Sequence, residues 1–338
     1  MGQVRVGVVG YGYWGPNLVR NLMELPTADL VAVADLSQER LARVRSIYPQ
    51  LTVTTDYRDL VKMGLDAVVV ATPPSTHYPI AKELLEQGRH VLIEKPMALC
   101  SAHAEELSEL ADKHDLTLMV GHTFEYNPAV RSLKQMISSG ELGDIYYVDA
   151  VRVNLGLFQQ GLNVLWDLAP HDVSILLYIL GQEPRSVSAR GRACIFRDMH
   201  DLAYVELDFP GNVLAHLHLS WLDPCKVRRL TVVGSRKMVV YDDMEPSEKI
   251  RVYDKGVEAP PYTDSYEQFR LSYRHGDVVV PSIPFSEPLK LECQHFVDCI
   301  LNHCQPQSNG EVGLKVVRIL ELADISLRNG GTKEKVVG

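Results

Sequence analysis

Long apolar runs are missing from this sequence. No stretch approaches the roughly 20 consecutive apolar residues that a bilayer-spanning helix needs, and no cationic segment with an apolar core precedes the first hydrophobic strand. The expectation is a soluble, cytoplasmic protein with no membrane partner. Basic clusters are missing too: 34 Lys and Arg stand against 43 Asp and Glu, for a formal net charge of -9. That balance argues against a polyanion-binding face, and so against nucleic acid as a partner. The six cysteines, Cys100, Cys194, Cys225, Cys293, Cys299 and Cys304, are scattered with no Cys-x-x-Cys pair, so neither a disulfide framework nor a zinc site is indicated and no metal is expected. What remains is ordinary for a globular chain, 46% hydrophobic and 23% charged. Its 338 residues suit two domains of about 100 to 200 residues each.

The positive signal lies at the start. Val4-Arg5-Val6-Gly7-Val8-Val9 reads as a buried strand and runs into Gly10-Tyr11-Gly12-Tyr13-Trp14-Gly15. In a strand-to-helix turn of this kind the first glycine permits the tight turn, the second leaves room for a pyrophosphate, and the third lets the helix pack on the strand. The helix N-terminus then faces the phosphates. A second strand run, Val31-Ala32-Val33-Ala34, ends on Asp35, about 20 residues beyond the last glycine, where a carboxylate binds a ribose 2'-hydroxyl and repels a 2'-phosphate. Leu36 and Ser37 follow rather than a basic pair, so NAD is the expected cofactor, with Arg40 keeping NADP open. The plainer alternative makes Asp35 or Ser37 only a helix N-cap.

Up to about residue 123 the pattern alternates short Val/Ile/Leu runs at 4–9, 30–34, 67–71, 90–93 and 116–120 with helical stretches at 38–48, 80–87 and 102–114. This is the pattern of an α/β, Rossmann-type doubly wound parallel sheet, and it predicts an NAD-binding domain over residues 1–123. A bridging helix is expected from Asn127-Pro128 to Ser139-Gly140. The remainder, 124–338, is expected to be an α+β domain for substrate binding and oligomerisation. Strand runs at 145–154, 187–195, 202–209, 213–221, 227–233 and 237–241 would form its large, mostly antiparallel sheet. His216 and His218 share one face of a strand, as a polar sheet face or subunit contact. Residues 254–288, rich in Pro, Tyr and charge, read as a long loop over the substrate. Two helices, at 289–303 and 311–328, close the chain and are expected to pack back on the first domain, the second opened by Ser308 and Glu311 at capping-box spacing.

Two places offer acid-base groups for oxidising an alcohol. Lys95, in Glu94-Lys95-Pro96, stands at the carboxyl end of the 90–93 strand, where ligands of open α/β sheets bind. On residue type alone it is an ordinary surface lysine. Asp167 and His171, in Trp166-Asp167-Leu168-Ala169-Pro170-His171-Asp172, are four apart, so on a helix they share a face within about 5 to 6 Å and the carboxylate can orient the imidazole. Pro170 would then sit in the first turn. The alternative is a capping Asp beside a helix-end His.

The glycine turn, Ala71-Thr72-Pro73-Pro74 with His77, Glu94-Lys95-Pro96 and the Asp167/His171 pair together resemble the glucose-fructose oxidoreductase/inositol dehydrogenase/rhizopine-catabolism family, over essentially the whole chain. The resemblance implies that Lys95, Asp167 and His171 surround the reacting carbon. It also implies that Thr72, Pro73, His77 and Glu94 line the cofactor cleft with Gly10, Gly12, Tyr13, Trp14, Gly15 and Asp35. Gly121-His122-Thr123-Phe124, Val153-Asn154-Leu155-Gly156 and Glu287-Pro288-Leu289 are similar to members that oxidise C3 of UDP-N-acetylglucosamine or its uronic acid. Two departures stand out: Phe124 where many relatives carry arginine, and Ala169 where many carry glycine.

On that resemblance His171 takes the hydroxyl proton while Lys95 hydrogen-bonds the same oxygen, or the lysine is itself the base. Asn154 and Trp166 would contact the sugar, and Arg152 would meet a phosphate. The rival readings are a keto-sugar reductase, a free-sugar or inositol dehydrogenase, and a non-catalytic NAD sensor. A homodimer or homotetramer is expected, through the spare sheet face.

Overall fold

The computed structural model describes residues 2–156, 158, 161–258 and 272–336. The chain divides into two compact units. One comprises Met1–Asn127 and Ser286–Glu321, the other Pro128–Phe285 and Leu322–Gly338.

Short β-branched runs build the sheet of the first unit. β1 (Val4–Val9), β2 (Ala28–Ala34), β3 (Thr52–Thr54), β4 (Ala67–Val70), β5 (His90–Glu94) and β6 (Leu118–Gly121) pair in the order β3-β2-β1-β4-β5-β6. Every adjacent pair is parallel. β4 and β6 are buried at every residue, as strands covered on both faces must be. The crossover helices are α1 (Gly15–Met23), α2 (Gln38–Ile47), α3 (Arg58–Val61), α4 (His77–Glu86) and α5 (Ser101–Lys113). This is the Rossmann strand order, and it reverses direction between β1 and β4. β3 and α3 are too short for hydrophobic periodicity to register.

α6 (Pro128–Ser138), β7 (Ile145–Leu155) and α7 (Val164–Leu180) open the second unit. After them come β8 (Ser186–Arg192), β9 (Leu202–Phe209), β10 (Val213–Ser220), β11 (Leu222–Gly234), β12 (Met238–Asp242), β13 (Ile250–Glu258) and β14 (Ser272–Val279). With β15 (Glu334–Lys335) these strands form a nine-stranded sheet, β14-β13-β12-β11-β7-β10-β9-β8-β15. It is antiparallel throughout except for the parallel pair β7 and β10. Ala215, Leu217 and Leu219 of β10 are buried, on the face against which α7 packs. On the opposite face His216 Nδ1 lies 2.9 Å from Asp149 Oδ1, and the Tyr204 ring stacks on His218 at 4.6 Å. The two histidines are thus engaged within the sheet, and no group of three or more His, Cys, Asp or Glu side chains among the described residues could hold a metal ion.

Two expectations are corrected here. Residues 254–288 are not one long loop: β13 and β14 pair antiparallel, with Val252 opposite Val279 and Tyr253 opposite Val278. Charge on this exposed part of the sheet hid the alternation, and residues 259–271 lie outside the described residues. Pro170 is not in the first turn of α7 but inside the helix, because Asn163 sets the start seven residues earlier, its Oδ1 accepting the Trp166 N–H at 3.1 Å.

The last helices are α8 (Pro288–Asn302) and α9 (Gly310–Arg328), and the division between units falls within α9. α8 places Leu289, Cys293, Phe296, Val297 and Ile300 in one core with Val4, Val6 and Val8 of β1 and Leu18 and Leu22 of α1. The expected capping box at Ser308 does not form. Asn309 Oδ1 accepts the Val312 N–H at 3.0 Å, while the Ser308 hydroxyl, fully buried, donates to the Val120 carbonyl at 2.8 Å. Ser308 extends the edge of β6, its own carbonyl accepting the Val120 N–H, and its side chain is turned to that strand. No helix among the described residues is long and apolar enough to cross a membrane.

Candidate active site

The strand reversal between β1 and β4 assembles the glycine turn. Gly10 has φ +99, and a Cβ there would run into the Ala71 carbonyl oxygen that follows β4. A Cβ on Gly15 would meet the Gly10 carbonyl. Both glycines are therefore required by the fold. Gly12 is different: its φ is not positive, and the nearest atom to an added Cβ is Arg40 Nη1 at 3.7 Å. Nothing within the protein demands glycine at position 12, which is the position a pyrophosphate would approach. The turn feeds α1, whose first turn carries no acid and whose N-cap, Trp14, makes no side-chain cap bond, so the helix presents its amide end to an anion.

Asp35 is 8% exposed and closes this loop from below. Its Oδ2 accepts the Tyr11 N–H at 2.6 Å and its Oδ1 accepts the Ser37 N–H at 2.8 Å. Ser37, not Asp35, caps α2, its Oγ accepting the Arg40 N–H. A carboxylate has about four acceptor directions, so Asp35 keeps capacity for a ribose hydroxyl. Arg40 Nη1 is 3.4 Å from its Oδ2. Asp35, Leu36, Ser37, Glu39, Arg40 and Arg43 line a cavity of about 420 Å³. Tyr13 is 90% exposed beside Trp14. These residues fit a dinucleotide.

Thr72 and Pro73 follow β4 after the single residue Ala71. His77 corrects its expected role: it is 1% exposed, with Nε2 2.7 Å from the Thr72 carbonyl oxygen and Nδ1 2.8 Å from that of Pro96. Both ring nitrogens are occupied by backbone, so His77 braces the segment after β4 against Lys95-Pro96 rather than contacting a cofactor. Burial pushes its imidazole pKa below the usual value.

Lys95 follows β5 at its carboxyl end, and its peptide N–H lies 3.3 Å from Glu94 Oε2. Burial raises the Glu94 carboxyl above its ordinary range, and the Lys95 ammonium opposes that shift. At the end of the neighbouring β6, His122 is 1% exposed, and neither ring nitrogen has a hydrogen-bond partner among the described residues. Burial, reinforced by the Lys95 charge, pushes its pKa down to about 3, so it is uncharged at neutral pH. Sequence reasoning assigned His122 no role, although it too stands at the carboxyl end of a strand.

In the second unit, Asp167 and His171 lie four residues apart on α7. Asp167 Oδ2 accepts the indole N–H of Trp221 at 3.0 Å, and Trp221 is itself 1% exposed. The carboxylate is thus fixed by a residue 54 positions away, which no local spacing reveals. Trp221 also bounds Asn154, since a Cβ on Gly156 would stand 2.9 Å from its ring and 3.1 Å from Asn154 Oδ1. Trp166 is buried in the opening turn of the helix.

Arg152 is the other correction. Expected to meet a phosphate, it is buried and forms a two-pronged pair with Asp172, Nε to Oδ2 and Nη2 to Oδ1, both at 2.8 Å. That pair ties β7 to α7 next to His171, and the guanidinium fork is used inside the unit.

Comparison with known proteins bears on the family and the fold. Residues 4–122 match the model of an oxidoreductase family with an NAD-binding Rossmann fold, and residues 130–240 match the GFO/IDH/MocA C-terminal domain. A UDP-N-acetylglucosamine 3-dehydrogenase of Acidithiobacillus ferrooxidans is 26% identical over 93% of this chain and 94% of its own. An NAD-dependent scyllo-inositol 2-dehydrogenase of Bacillus subtilis is 26% identical over 90% of this chain and 88% of its own. A crystal structure of an oxidoreductase from Magnetospirillum magnetotacticum superposes with a TM-score of 0.80 at 31% identity, covering 95% of this chain and 99% of that one.

Proposed function

The chain belongs to the GFO/IDH/MocA family of NAD-binding oxidoreductases, and from that premise we propose that it oxidises a ring hydroxyl of a sugar, at C3 of a nucleotide-linked N-acetylhexosamine such as UDP-N-acetylglucosamine. The observation that carries the proposal is the α7 pair, an Asp167 carboxylate pinned by the Trp221 indole with His171 one helical turn further on. NAD supplies the hydride acceptor. Asp35 holds the adenosine ribose, and the turn from Gly10 to Gly15 receives the pyrophosphate. His171, oriented by Asp167, takes the hydroxyl proton, and Lys95 donates a hydrogen bond to the substrate oxygen and stabilises its developing charge.

The test is a panel of UDP-N-acetylglucosamine, its uronic acid, free hexoses and inositols, followed by the absorbance of reduced nicotinamide. Turnover of the UDP-sugars above the free sugars supports the proposal, and no response to any nucleotide sugar overturns it. Faster turnover with NADP than with NAD would contradict the role given to Asp35. One observation favours a second reading, a free-sugar or inositol dehydrogenase: with Arg152 committed to Asp172, the expected phosphate ligand is lost. A keto-sugar reductase would run the same chemistry in reverse with the same residues. We further infer a homodimer or homotetramer, supported by the uncovered sheet face bearing Tyr147, Tyr204 and Leu214. Sedimentation of a monomer at micromolar concentration would contradict it.

A further inference from the structure

α8 carries an acid where its helical spacing calls for an apolar side chain. Leu289, Cys293, Phe296, Val297 and Ile300 make its buried stripe, and Glu292 falls within that stripe at 0% exposure. Neither carboxyl oxygen has a well-formed hydrogen bond among the described residues, and the nearby Thr123 hydroxyl only partly offsets the burial. An ionised carboxylate short of donors in such a place costs several kcal/mol, and the usual response is to keep the proton.

A second carboxyl group stands at the same point. A Cβ built on Gly121, the last residue of β6, would lie 3.2 Å from Glu292 Oε1 and 3.2 Å from Glu94 Oε2. Both acids therefore abut one glycine, where any side chain would press on them. From the turn after β6, Thr123 and Glu125 face Glu292; from the segment after β5, Lys95 faces Glu94 and His122. Arg20 and Glu287 act on the adjacent Cys293. Burial raises both carboxyls, and the Glu94 charge raises Glu292 further, whereas Lys95 pulls Glu94 back down. The asymmetry decides which acid keeps the proton: among the described residues no cation acts on Glu292, whereas Lys95 acts on Glu94. Two like groups pushed apart by their surroundings take opposite protonation states.

We propose that Glu292 is a positioning residue for the reaction, the un-ionised member of an acid pair with Glu94, and that it leaves a single negative charge beside Lys95. The proposal rests on the role given to Lys95 above. One carboxylate matched to one ammonium leaves the lysine able to polarise a substrate oxygen; a second buried carboxylate would hold that ammonium against the protein and weaken its pull.

The experiment is infrared difference spectroscopy of the full-length protein in D2O, native minus Glu292→Gln, at a pH above the value of about 7 to which burial pushes Glu94. An un-ionised carboxylic C=O band in the native protein, removed by the substitution, is expected. In Glu94→Gln the band should persist and titrate away at higher pH than in Glu292's unburied counterparts but lower than in the native protein, because the repelling charge is gone. In turnover of UDP-N-acetylglucosamine, Glu292→Ala, which empties the space against Gly121 and lets Glu94 shift away from Lys95, should lose about tenfold or more in kcat, equivalent to about 1.4 kcal/mol, with little change in KM, and Glu292→Gln, which keeps both the shape and the neutrality, should recover most of the loss. Loss of an ionised-carboxylate band instead of the acid band, or Ala and Gln variants that turn over alike, would overturn the inference. A native protein that turns over no sugar is a failure of the proposed function, whereas the infrared result bears on the acid pair alone.

Discussion

Replacing Gly12 by alanine separates a glycine kept for a ligand from one kept for the fold. Beyond the flanking residues Tyr11 and Tyr13, the added methyl would come no closer than 3.7 Å to any atom of the described residues, and that atom is the movable tip of Arg40. The backbone at this residue is also outside the positive-φ region. Folding stability should therefore change by less than about 0.5 kcal/mol, or rise by about 0.4 to 1 kcal/mol through a less mobile unfolded chain. NAD affinity should fall at least about tenfold, or 1.4 kcal/mol, because the methyl fills the space a pyrophosphate would occupy. Gly10→Ala is the contrasting case. It meets the Ala71 carbonyl at φ +99, and the left-handed backbone alone costs about 1 to 2 kcal/mol for a residue with a Cβ. Urea unfolding gives the stabilities, and titration calorimetry with NAD gives the affinities. A Gly12→Ala protein that folds and binds NAD like the native one would refute the placement of the pyrophosphate.

Arg152→Ala should destabilise the protein by about 3 to 5 kcal/mol, since it strands Asp172 as an unpaired buried charge; a variant of native stability with a raised KM for UDP-sugars would restore the phosphate role. His122 links stability to acidity. Its folded-state pKa of about 3 lies below the ordinary 6.5, so the unfolded chain binds the extra proton first, and the stabilisation present above pH 6.5 is lost as pH falls toward 3. His122→Phe should flatten that acid limb in thermal melts between pH 7 and 4, and an unchanged slope would contradict it. Trp221→Phe should leave Asp167 without its indole donor and lower kcat by about tenfold, with a net loss of about 1 kcal/mol in stability; native kcat would show that the indole does not orient the pair.

The cofactor half of the site was legible because its constraints are local. Glycine spacing, the strand before it and Asp35 after the next strand are all set within 35 residues, and the structure adds that Asp35 also grips the Tyr11 and Ser37 amides. Partners distant in sequence were not legible. Arg152 looked like a phosphate ligand because nothing near it signals Asp172, and Asp167 gave no hint of Trp221. Ser308 and Asn309 are adjacent candidates for one cap, and only the edge of β6 decides between them. Glu292 did leave a trace: it is a charged residue on the apolar stripe of α8, at the spacing of Leu289 and Phe296. His77 was assigned to the cleft by the family resemblance, whereas its two carbonyl contacts turn it inward.

The central claim is that Lys95 and His171 carry proton and charge during NAD-dependent oxidation of a sugar. Its most direct test is the rate of NAD reduction by UDP-N-acetylglucosamine in native, Lys95→Ala and His171→Ala proteins, each with its NAD affinity measured in parallel. General acid-base assistance is typically about 10² to 10⁴ in rate, so each variant should bind NAD as the native protein does and turn over at least about 100-fold more slowly. Near-native turnover in both variants would contradict the account.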